Sequence, residues 1–525
     1  MSVLTTTPEL LAWRARTTPD APALVDGDTR LTFAELDQTV TRLAKGWMAL
    51  GIGHGYRVGI QAPNTWEWVA AALSLHAVGA ILVPINTRYK GHETAWILNK
   101  SGASAWVTVQ GFLGADYPAQ LQAADDAPNL PTILLKGETT GEQLSLSQLE
   151  SLGEEVPWEH AAQRRGAVGP DDPSDILFTS GTTGDPKGVV TTHAQTLRAY
   201  ASWAEVVGLR ADDRYLVVAP FFHCFGYKAG WLAALIAGAA VYPQPVFDVG
   251  AVLERIGRDR ITMLPGPPAL YQTILGRADR DSFDLSTLRL AVTGAAVIPV
   301  TLIERMRDEL GFETVITGYG LTEATGIATM CRHDDDPATI AATSGRAIDG
   351  VEVQVVGADG SEVARGEPGE VVVRGYNVML RYFDEPAATK AAVDADGWLH
   401  TGDIGVMNEA GYIRITDRLK DMFIMGGFNC YPAEIERLML KNPDYQQVAV
   451  IGVADERMGE VGKAFVVAAQ GVVPTPESVV AWCRENMANF KVPRHVDVVE
   501  ALPMNATGKV KKFELRGEKQ TNGNL

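Results

Sequence analysis

Segments with the pattern of buried strands alternate with helical segments through most of this chain, and this alternation constrains the fold most strongly. Val58–Gln61 and Ile81–Pro84 are short and apolar, as buried strands are, and Thr65–Ala77 between them has a helical pattern. The same alternation returns between Tyr215 and Thr293. Repeated βα units form parallel sheets that are covered by helices. The sequence therefore predicts an α/β fold with two helix-covered, mainly parallel sheets.

The residue pattern of the chain changes in its last third. Val351–Val356 and Glu370–Arg374 are rich in β-formers and are separated by Gly, Pro and Asp turns, which predicts a small β-barrel-like subdomain. A charged stretch, Asp417–Asp421, then precedes a compact run of helix and strand patterns. We predict a domain boundary there, with residues 1–417 forming a large N-terminal domain and residues 418–525 a small α+β C-terminal domain.

Bulk properties exclude several classes of protein. A chain of 525 residues is expected to form two or more domains. The formal net charge of −18 argues against general binding to nucleic acid or to an anionic membrane. Four scattered cysteines without metal-site spacing favour a reducing compartment. The N-terminus lacks a signal-peptide core and the longest apolar stretch, 68–85, contains polar residues, so we expect a cytoplasmic protein without a membrane span.

The run Thr179–Gly188 is small, rich in hydroxyls and glycine, and contains one lysine. Backbone N–H groups in such a loop can point together at an anion, and Lys187 adds a positive charge. Because Pro186 precedes this lysine and Gly188 follows it, the run does not fit the ordinary P-loop pattern. The run indicates a phosphate site of another kind, with a flexible polar surface turn as the alternative.

A second motif, Tyr319–Glu323, follows a short strand-like run, so we expect it at the carboxyl end of a strand, where α/β sheets bind ligands. Its aromatic ring, hydroxyl and carboxylate suit a nucleobase, a phosphate and Mg²⁺. A strand end with a capping Thr322 and a solvated Glu323 is the alternative. In the run His400–Asp403, Asp403 could accept hydrogen bonds from two ribose hydroxyls or could simply form a turn.

Two further segments contain candidates for acid binding and catalysis. Phe221–Lys228 is rich in aromatic residues and contains His223, so it could line a pocket for an apolar acid or belong to the core. Gly508–Lys509 predicts a tight turn that presents the Lys509 ammonium, although an ordinary basic turn has the same pattern. Lys228 either meets a polar group of the acid or packs its stem along the pocket wall with its ammonium in solvent.

Together these motifs resemble those of the adenylate-forming superfamily, which contains acyl- and aryl-CoA synthetases, adenylation domains of peptide synthetases and beetle luciferases. The resemblance extends from Leu31–Leu36 to Lys512, with the motifs in the family's order. Within the superfamily the chain resembles CoA ligases for carboxylic acids. Three stretches are similar to actinobacterial ligases that activate a bicyclic propanoate left by steroid ring degradation: Pro220–His223, Phe225–Gly230 and Leu264–Pro268.

The resemblance implies a two-step reaction with ATP, Mg²⁺ and coenzyme A. The acid attacks the α-phosphorus of ATP to form an acyl-AMP and release pyrophosphate, and the CoA sulfur then displaces AMP. It implies a small-molecule carboxylic acid as partner, without nucleic acid or integral membrane association, and leaves monomer and homodimer open. A free-standing adenylation enzyme that loads a carrier protein, or one that forms an amide or diazo group, is the alternative.

The resemblance also assigns roles to individual residues. The residues implied in ATP binding are Thr179, Ser180, Gly181, Thr182, Thr183, Gly184, Lys187, Gly294, Ala295, Ala296, Thr317, Gly318, Tyr319, Gly320, Asp403 and Arg418. Among them Tyr319 would stack on adenine, and Asp403 and Arg418 would hold the ribose. Mg²⁺ would lie at Glu323 and Thr182, and Thr322 would contact the α-phosphate.

The remaining implied roles concern the acid, catalysis and the second half-reaction. The residues implied in the acyl pocket are His223, Phe225, Tyr227, Lys228, Pro267 and Gly320. The implied catalytic residues are Lys509, Thr322, Glu323 and His223. Lys420 would be the hinge of a mobile C-terminal domain, and Gly426, Gly427 and Phe428 would form part of the CoA tunnel.

Overall fold

The structure is a computed structural model. It describes residues 5–179, 186–294, 298–418, 421–425, 428–455, 458–487, 489, 491–505 and 509–517; for residues 417, 418, 424, 428, 429, 434 and 459 it describes the backbone alone. None of the helices in these ranges has the length and apolar character needed to cross a bilayer.

The first part of the chain builds a large mixed sheet. This part contributes the strands β1 (Pro22–Asp26), β2 (Thr29–Thr32), β3 (Arg57–Gln61), β4 (Ile81–Pro84), β5 (Ala105–Phe112), β6 (Ala115–Asp116), β7 (Thr132–Lys136), β8 (Leu144–Ser145), β9 (Pro173–Thr179) and β10 (Lys187–Thr192). Strands β3 to β10 belong to the large sheet, whereas β1 and β2 belong to the second sheet. The helices of this part are α1 (Thr7–Thr17), α2 (Phe33–Ala49), α3 (Trp66–Ala77), α4 (Gly91–Ser101), α5 (Tyr117–Gln122), α6 (Leu146–Leu152), α7 (Trp158–Gly166) and α8 (His193–Val207). From β9 the order β9-β4-β3-β5-β7-β8 is parallel throughout, whereas β9 and β10 form an antiparallel hairpin.

The next part builds a second sheet. Its strands are β11 (Arg214–Val217), β12 (Ala240–Pro243), β13 (Leu290–Thr293), β14 (Thr314–Tyr319), β15 (Thr329–Met330) and β16 (Arg346–Ala347). Its helices are α9 (Cys224–Gly226), α10 (Ala233–Ala237), α11 (Val249–Asp259), α12 (Pro268–Leu275), α13 (Val300–Leu310) and α14 (Pro337–Ala342), with a π turn at Tyr227–Leu232 and 3₁₀ turns at Arg280–Ser282 and Thr322–Ala324. The strands form two sections, β11-β12-β1-β2 and β13-β14-β15-β16, and isolated parallel bridges at Met263 connect β11 to β13. Parallel pairs join β11 to β12, β12 to β1 and β13 to β14. The prediction of two mainly parallel sheets is confirmed.

An antiparallel sheet follows, as the β-rich texture predicts. Its elements are β17 (Val351–Val356), β18 (Pro368–Gly375), β19 (Arg381–Tyr382), α15 (Pro386–Ala392), β20 (Leu399–Met407) and β21 (Ile413–Arg418). Strands β17, β18, β20 and β21 pair in that order, while β19 leaves this sheet and pairs with β10 at the edge of the first sheet. Because β19 lies between β18 and β20 in the chain, its pairing with β10 connects the β9–β10 hairpin to the third sheet.

The last part is a small α+β unit, which confirms the predicted class. Its elements are β22 (Phe423–Met425), β23 (Phe428–Cys430), α16 (Pro432–Met439), β24 (Tyr445–Asp455), β25 (Gly459–Ala468), α17 (Pro476–Asn486), β26 (His495–Val498) and α18 (Lys512–Leu515). Its buried cluster, which includes Ile435, Val450 and Cys483, is separate from the large core of the preceding sheets. The boundary after residue 417 stays a prediction.

Candidate active site

The carboxyl ends of β13 and β14 lie side by side, because Thr293 and Thr317 are register partners in a parallel pair. Both strands therefore deliver a glycine to the same edge of the sheet. A Cβ on Gly294 would lie 3.4 Å from the carbonyl oxygen of Gly318, so the two backbones are close neighbours. This edge is where ligands bind in α/β sheets. Ala295 and Ala296 lie outside the described residues.

Tyr319 and Asp403 are brought together from different sheets. The Tyr319 hydroxyl donates a hydrogen bond to Asp403 Oδ2 over 2.6 Å, a length typical of a charge-assisted bond. Asp403 is only 5% exposed. It pairs in register with Arg418 on β21, whose side chain lies outside the described set. The residues predicted for adenine and for ribose are thus in direct contact.

Glu323 and Lys187 both interact with a residue that the sequence analysis missed, Tyr382. The Tyr382 hydroxyl donates to Glu323 Oε1 over 2.9 Å, and Lys187 Nζ lies 5.1 Å from the centroid of the Tyr382 ring. Burial and the Glu323 charge raise the pKa of Tyr382, so its hydroxyl stays a donor. Tyr382 of β19 pairs with Val189 of β10, and this pairing fixes the position of the ring. No sequence motif indicates this strand pairing.

The donor set at Glu323 fits Mg²⁺. Mg²⁺ binds proteins through one or two carboxylates and completes its octahedron with water and substrate phosphates. Glu323 supplies one carboxylate that Tyr382 orients, and the same Tyr382 ring interacts with Lys187, which begins β10 directly after the phosphate loop. Among the residues that the structure describes, no group of three or more His, Cys, Asp or Glu could form a cage. Bound Mg²⁺ would neutralise phosphate charge here. Thr182 lies outside the described residues.

The base of the phosphate loop is closed by Thr179, whose hydroxyl donates to the carbonyl oxygen of Lys187 over 3.3 Å. The loop itself, residues 180–185, includes the predicted contacts Ser180, Gly181, Thr182, Thr183 and Gly184 and lies outside the described residues. Their roles stay predictions.

His223 and Lys509 are far apart in the chain but interact electrostatically. His223 caps the short helix α9, and its Nδ1 accepts the Phe225 N–H over 3.2 Å. The imidazole proton is therefore on Nε2. Burial and the positive charge of Lys509 lower the pKa of His223 to about 4, so the ring is neutral at physiological pH. The C-terminal ammonium thus acts electrostatically on the segment predicted to line the acyl pocket.

The turn that presents Lys509 is built by Asn505. The Lys509 N–H donates to Asn505 Oδ1 and the Asn505 N–H donates to the Lys509 carbonyl, both over 2.8 Å. Lys509 is exposed at this turn, and residues 506–508 lie outside the described set. An Asn that closes a turn through its own side chain is a known turn signal, so this residue could have been found from the sequence.

Lys228 and Tyr227 are corrections to the predicted acyl pocket. Lys228 is fully buried, and its Nζ lies 3.0 Å from Asp175 Oδ1. Both predictions for this ammonium, a contact with the acid and a position in solvent, are wrong because a buried carboxylate compensates its charge. Tyr227 is also fully buried and stacks on Trp231 with ring centroids 5.0 Å apart, so it belongs to the core.

The Thr317 hydroxyl has backbone partners inside the protein. It donates to the carbonyl oxygens of Ile340 and Thr343 over 3.1 and 3.0 Å, and the residue is 3% exposed. The side chain therefore fastens α14 to the end of β14, and the implied contact of Thr317 with ATP stays a prediction. At Gly320 a Cβ would lie 2.3 Å from the Gly326 carbonyl oxygen, so the close backbone approach there requires glycine. The implied roles of Gly320 in ATP binding and in the acyl pocket stay predictions.

Other predicted residues lie near this edge without a decisive contact. Thr322 lies beside the Cys224 thiol, next to His223 in the chain. Phe225 and Pro267 are half-buried. Lys420, Gly426 and Gly427 lie outside the described residues, and of Phe428 the backbone alone is described, in β23. All of these assignments stay predictions.

The model of the AMP-binding enzyme family matches residues 11–383, and that of the AMP-binding enzyme C-terminal domain matches residues 434–509. The chain belongs to the AMP-binding enzyme family. Among curated relatives of this AMP-binding enzyme, "3-[(3aS,4S,7aS)-7a-methyl-1,5-dioxo-octahydro-1H-inden-4-yl]propanoyl:CoA ligase" of Rhodococcus jostii is 48% identical over 98% of this chain and 99% of its own. The ligase of the same name from Mycobacterium tuberculosis is also 48% identical, with the same coverage of both chains.

Among solved structures, the anthranilate CoA ligase AuaEII in complex with anthranoyl-AMP superposes with a TM-score of 0.86. It is 27% identical, and the match covers 98% of each chain. This AMP-binding enzyme is therefore an AMP-forming acid–thiol ligase whose substrates are a carboxylic acid, ATP with Mg²⁺, and coenzyme A. Transfer to a carrier protein or another nucleophile is not favoured.

Proposed function

We propose that this ligase activates a bulky bicyclic propanoate derived from steroid ring degradation and converts it to its CoA thioester. Two relatives that are 48% identical over nearly the whole chain are named for such an acid, which supports the proposal. The stretches Pro220–His223, Phe225–Gly230 and Leu264–Pro268 support it as well, because they resemble the same ligases.

One observation supports the adenylation chemistry most directly: the charge of Lys509 lowers the pKa of His223, and the neighbouring Cys224 lies beside Thr322 of the Tyr319–Glu323 motif. An anionic acid and an anionic nucleotide repel each other, so a cation between the carboxylate and the α-phosphate stabilises both the encounter and the charge that develops. We assign this role to Lys509. Neutral His223 adds no second charge and can donate through Nε2–H to a substrate oxygen.

The second half-reaction needs space for the CoA sulfur where Lys509 has acted. We propose that the C-terminal unit, residues 418–525, rotates about Lys420, withdraws Lys509 and brings Gly426, Gly427 and Phe428 to the pantetheine path. Hinge rotation of this kind is common in enzymes that close around ligands.

We also place the enzyme in the cytoplasm, a proposal that the absence of a disulfide among its four buried cysteines supports.

An acid panel tests the proposed substrate. AMP release is measured with a methyl-dioxo-octahydroindenyl propanoate, a linear medium-chain fatty acid and an aryl acid, each with and without CoA. We expect kcat/KM for the bicyclic acid to exceed the others by about 10-fold or more, because a matched pocket gains from each buried methylene. Equal or faster turnover of a linear or aryl acid would contradict the proposed substrate and leave the ligase class intact.

A further inference from the structure

A buried ion pair joins the two segments that hold acid and nucleotide. Asp175 lies on β9, the strand that leads into the phosphate loop, and Lys228 lies in the π turn that follows His223. The two charged atoms, Lys228 Nζ and Asp175 Oδ1, are 3.0 Å apart, and both side chains are 0% exposed. An ion pair at such depth is costly unless all of its hydrogen-bonding groups are satisfied.

Those groups are satisfied. Besides Asp175, the Lys228 ammonium donates to the hydroxyls of Thr191 and Thr196 over 2.7 and 3.3 Å, so each of its three N–H groups has an acceptor. The Thr191 hydroxyl in turn donates to Asp175 Oδ1 over 2.9 Å, and the Ser174 hydroxyl donates to Asp175 Oδ2 over 2.7 Å. A complete network fixes the direction of every member and makes a shifted arrangement unfavourable.

The backbone around Lys228 is not a regular helix, and the ion pair holds it in place. A π turn, Tyr227–Leu232, is a rare deviation from helix and is often found at functional sites. Gly230 within it has φ −86° and ψ −107°, outside the helical region. A Cβ on Gly226 would lie 2.2 Å from the Pro220 carbonyl oxygen, so the segment is also folded tightly on itself. Lys228 anchors this turn to the hairpin of β9 and β10.

We propose that Asp175 and Lys228 are positioning residues that set where His223 and the half-buried Phe225 stand relative to the phosphate loop, and thereby which acids the enzyme accepts. Neither residue touches substrate. A change in the ion pair would shift the π turn and the acid-facing segment before it, while the nucleotide contacts at Tyr319 would stay in place. The inference rests on the adenylation site proposed above and deepens it.

The test is the double variant Asp175→Asn/Lys228→Met, which removes both charges and keeps the side-chain sizes similar. Neutral replacement of both members of a buried pair is commonly tolerated, whereas one unpaired charge is not. We expect the KM for the bicyclic acid to rise about 10-fold or more, since small misplacements near reacting groups have large effects. The KM for ATP should change by less than about 3-fold, because its contacts are not moved.

A matched control is available at the opposite end of the second sheet. Arg289 Nε donates to Asp213 Oδ1 over 2.8 Å, and these side chains are 14% and 1% exposed. They lie at the amino ends of β13 and β11, away from the predicted site. The double variant Asp213→Asn/Arg289→Met should keep the acid KM within about 2-fold of the parent, as expected for a distant site.

If the first double variant does not fold, Thr196→Val tests the same inference. This substitution removes one hydrogen-bond acceptor of Lys228, and we expect it to raise the KM for the acid by roughly 3-fold. A folded double variant, or Thr196→Val, with the parent's acid KM and acid preference would overturn the inference. The proposed function would be contradicted by a different result: the parent enzyme would show no acid-dependent ATP–pyrophosphate exchange with any acid of the panel.

Discussion

Replacing Lys509 with alanine should remove the first half-reaction and spare the second. Asn505 closes the turn that presents Lys509, which is exposed there. The positive charge of Lys509 lowers the pKa of His223. The loss of one preorganised donor from the developing charge raises the barrier by roughly 2.7–4 kcal/mol, which is about 10²- to 10³-fold in rate. Thioester formation from supplied acyl-AMP needs no such cation and should stay within about 3-fold of the parent.

The assay separates the two steps. Acid-dependent ATP–pyrophosphate exchange reports the first half-reaction, and thioester formation from synthetic acyl-AMP and CoA reports the second. A neighbouring lysine provides the control, because Lys511 Nζ pairs with Glu514 Oε1 over 2.8 Å in the same region. Lys511→Ala should leave both steps near the parent's values.

A second readout does not depend on turnover. Since Lys509 helps to lower the pKa of His223 to about 4, the alanine variant should show a higher His223 pKa, still below its usual value because burial persists. NMR titration of the imidazole measures this shift. An equal fall in both half-reactions, together with an unchanged His223 pKa, would refute the role given to Lys509.

Three further outcomes are expected. Tyr319→Phe loses the 2.6 Å bond to Asp403, worth about 1.5–3 kcal/mol, so the KM for ATP should rise roughly 10- to 100-fold; an unchanged KM would separate this pair from the nucleotide. Tyr382→Phe frees the Glu323 carboxylate, so half-maximal activity should need about 10-fold more Mg²⁺, and an unshifted Mg²⁺ titration would refute this. Burial lowers the pKa of His76 to about 4, so between pH 6.5 and 4 the unfolded chain binds a proton that the folded chain does not. The free energy of unfolding should therefore fall by up to about 3 kcal/mol as the pH drops through that window, with no effect above it, and denaturant titrations of His76→Gln should show a flatter pH profile than the parent.

The fold and the edge of the site could be predicted because their signals are local. Strand-like and helical patterns alternate in the chain, and a motif that directly follows a strand must lie at that strand's carboxyl end. This reasoning places Tyr319 at the carboxyl end of β14, whereas the place of Gly294 beside it was implied only by the resemblance to the adenylate-forming superfamily. The close backbone approach that requires glycine at 320 was not predicted, because it depends on the Gly326 carbonyl that folds against it.

The errors and omissions have a different origin, because they depend on partners that are far apart in the chain. Lys228 is buried because Asp175 meets it, and nothing in the apolar strand around Asp175 indicates that partner. Tyr382 reaches Glu323 through a two-residue strand whose pairing with β10 is decided by tertiary structure. Thr317 looks like a site residue by position, but its hydroxyl is used by backbone carbonyls of α14 and the residue after it.

The most direct measurement is a crystal structure of the ligase with a non-hydrolysable acyl-AMP analogue of the bicyclic acid. We predict that the adenine stacks on Tyr319, that both ribose hydroxyls lie within hydrogen-bond distance of Asp403, and that the acyl group lies beside His223. A nucleotide bound elsewhere, or an acyl group that does not reach His223, would contradict the proposed adenylation site.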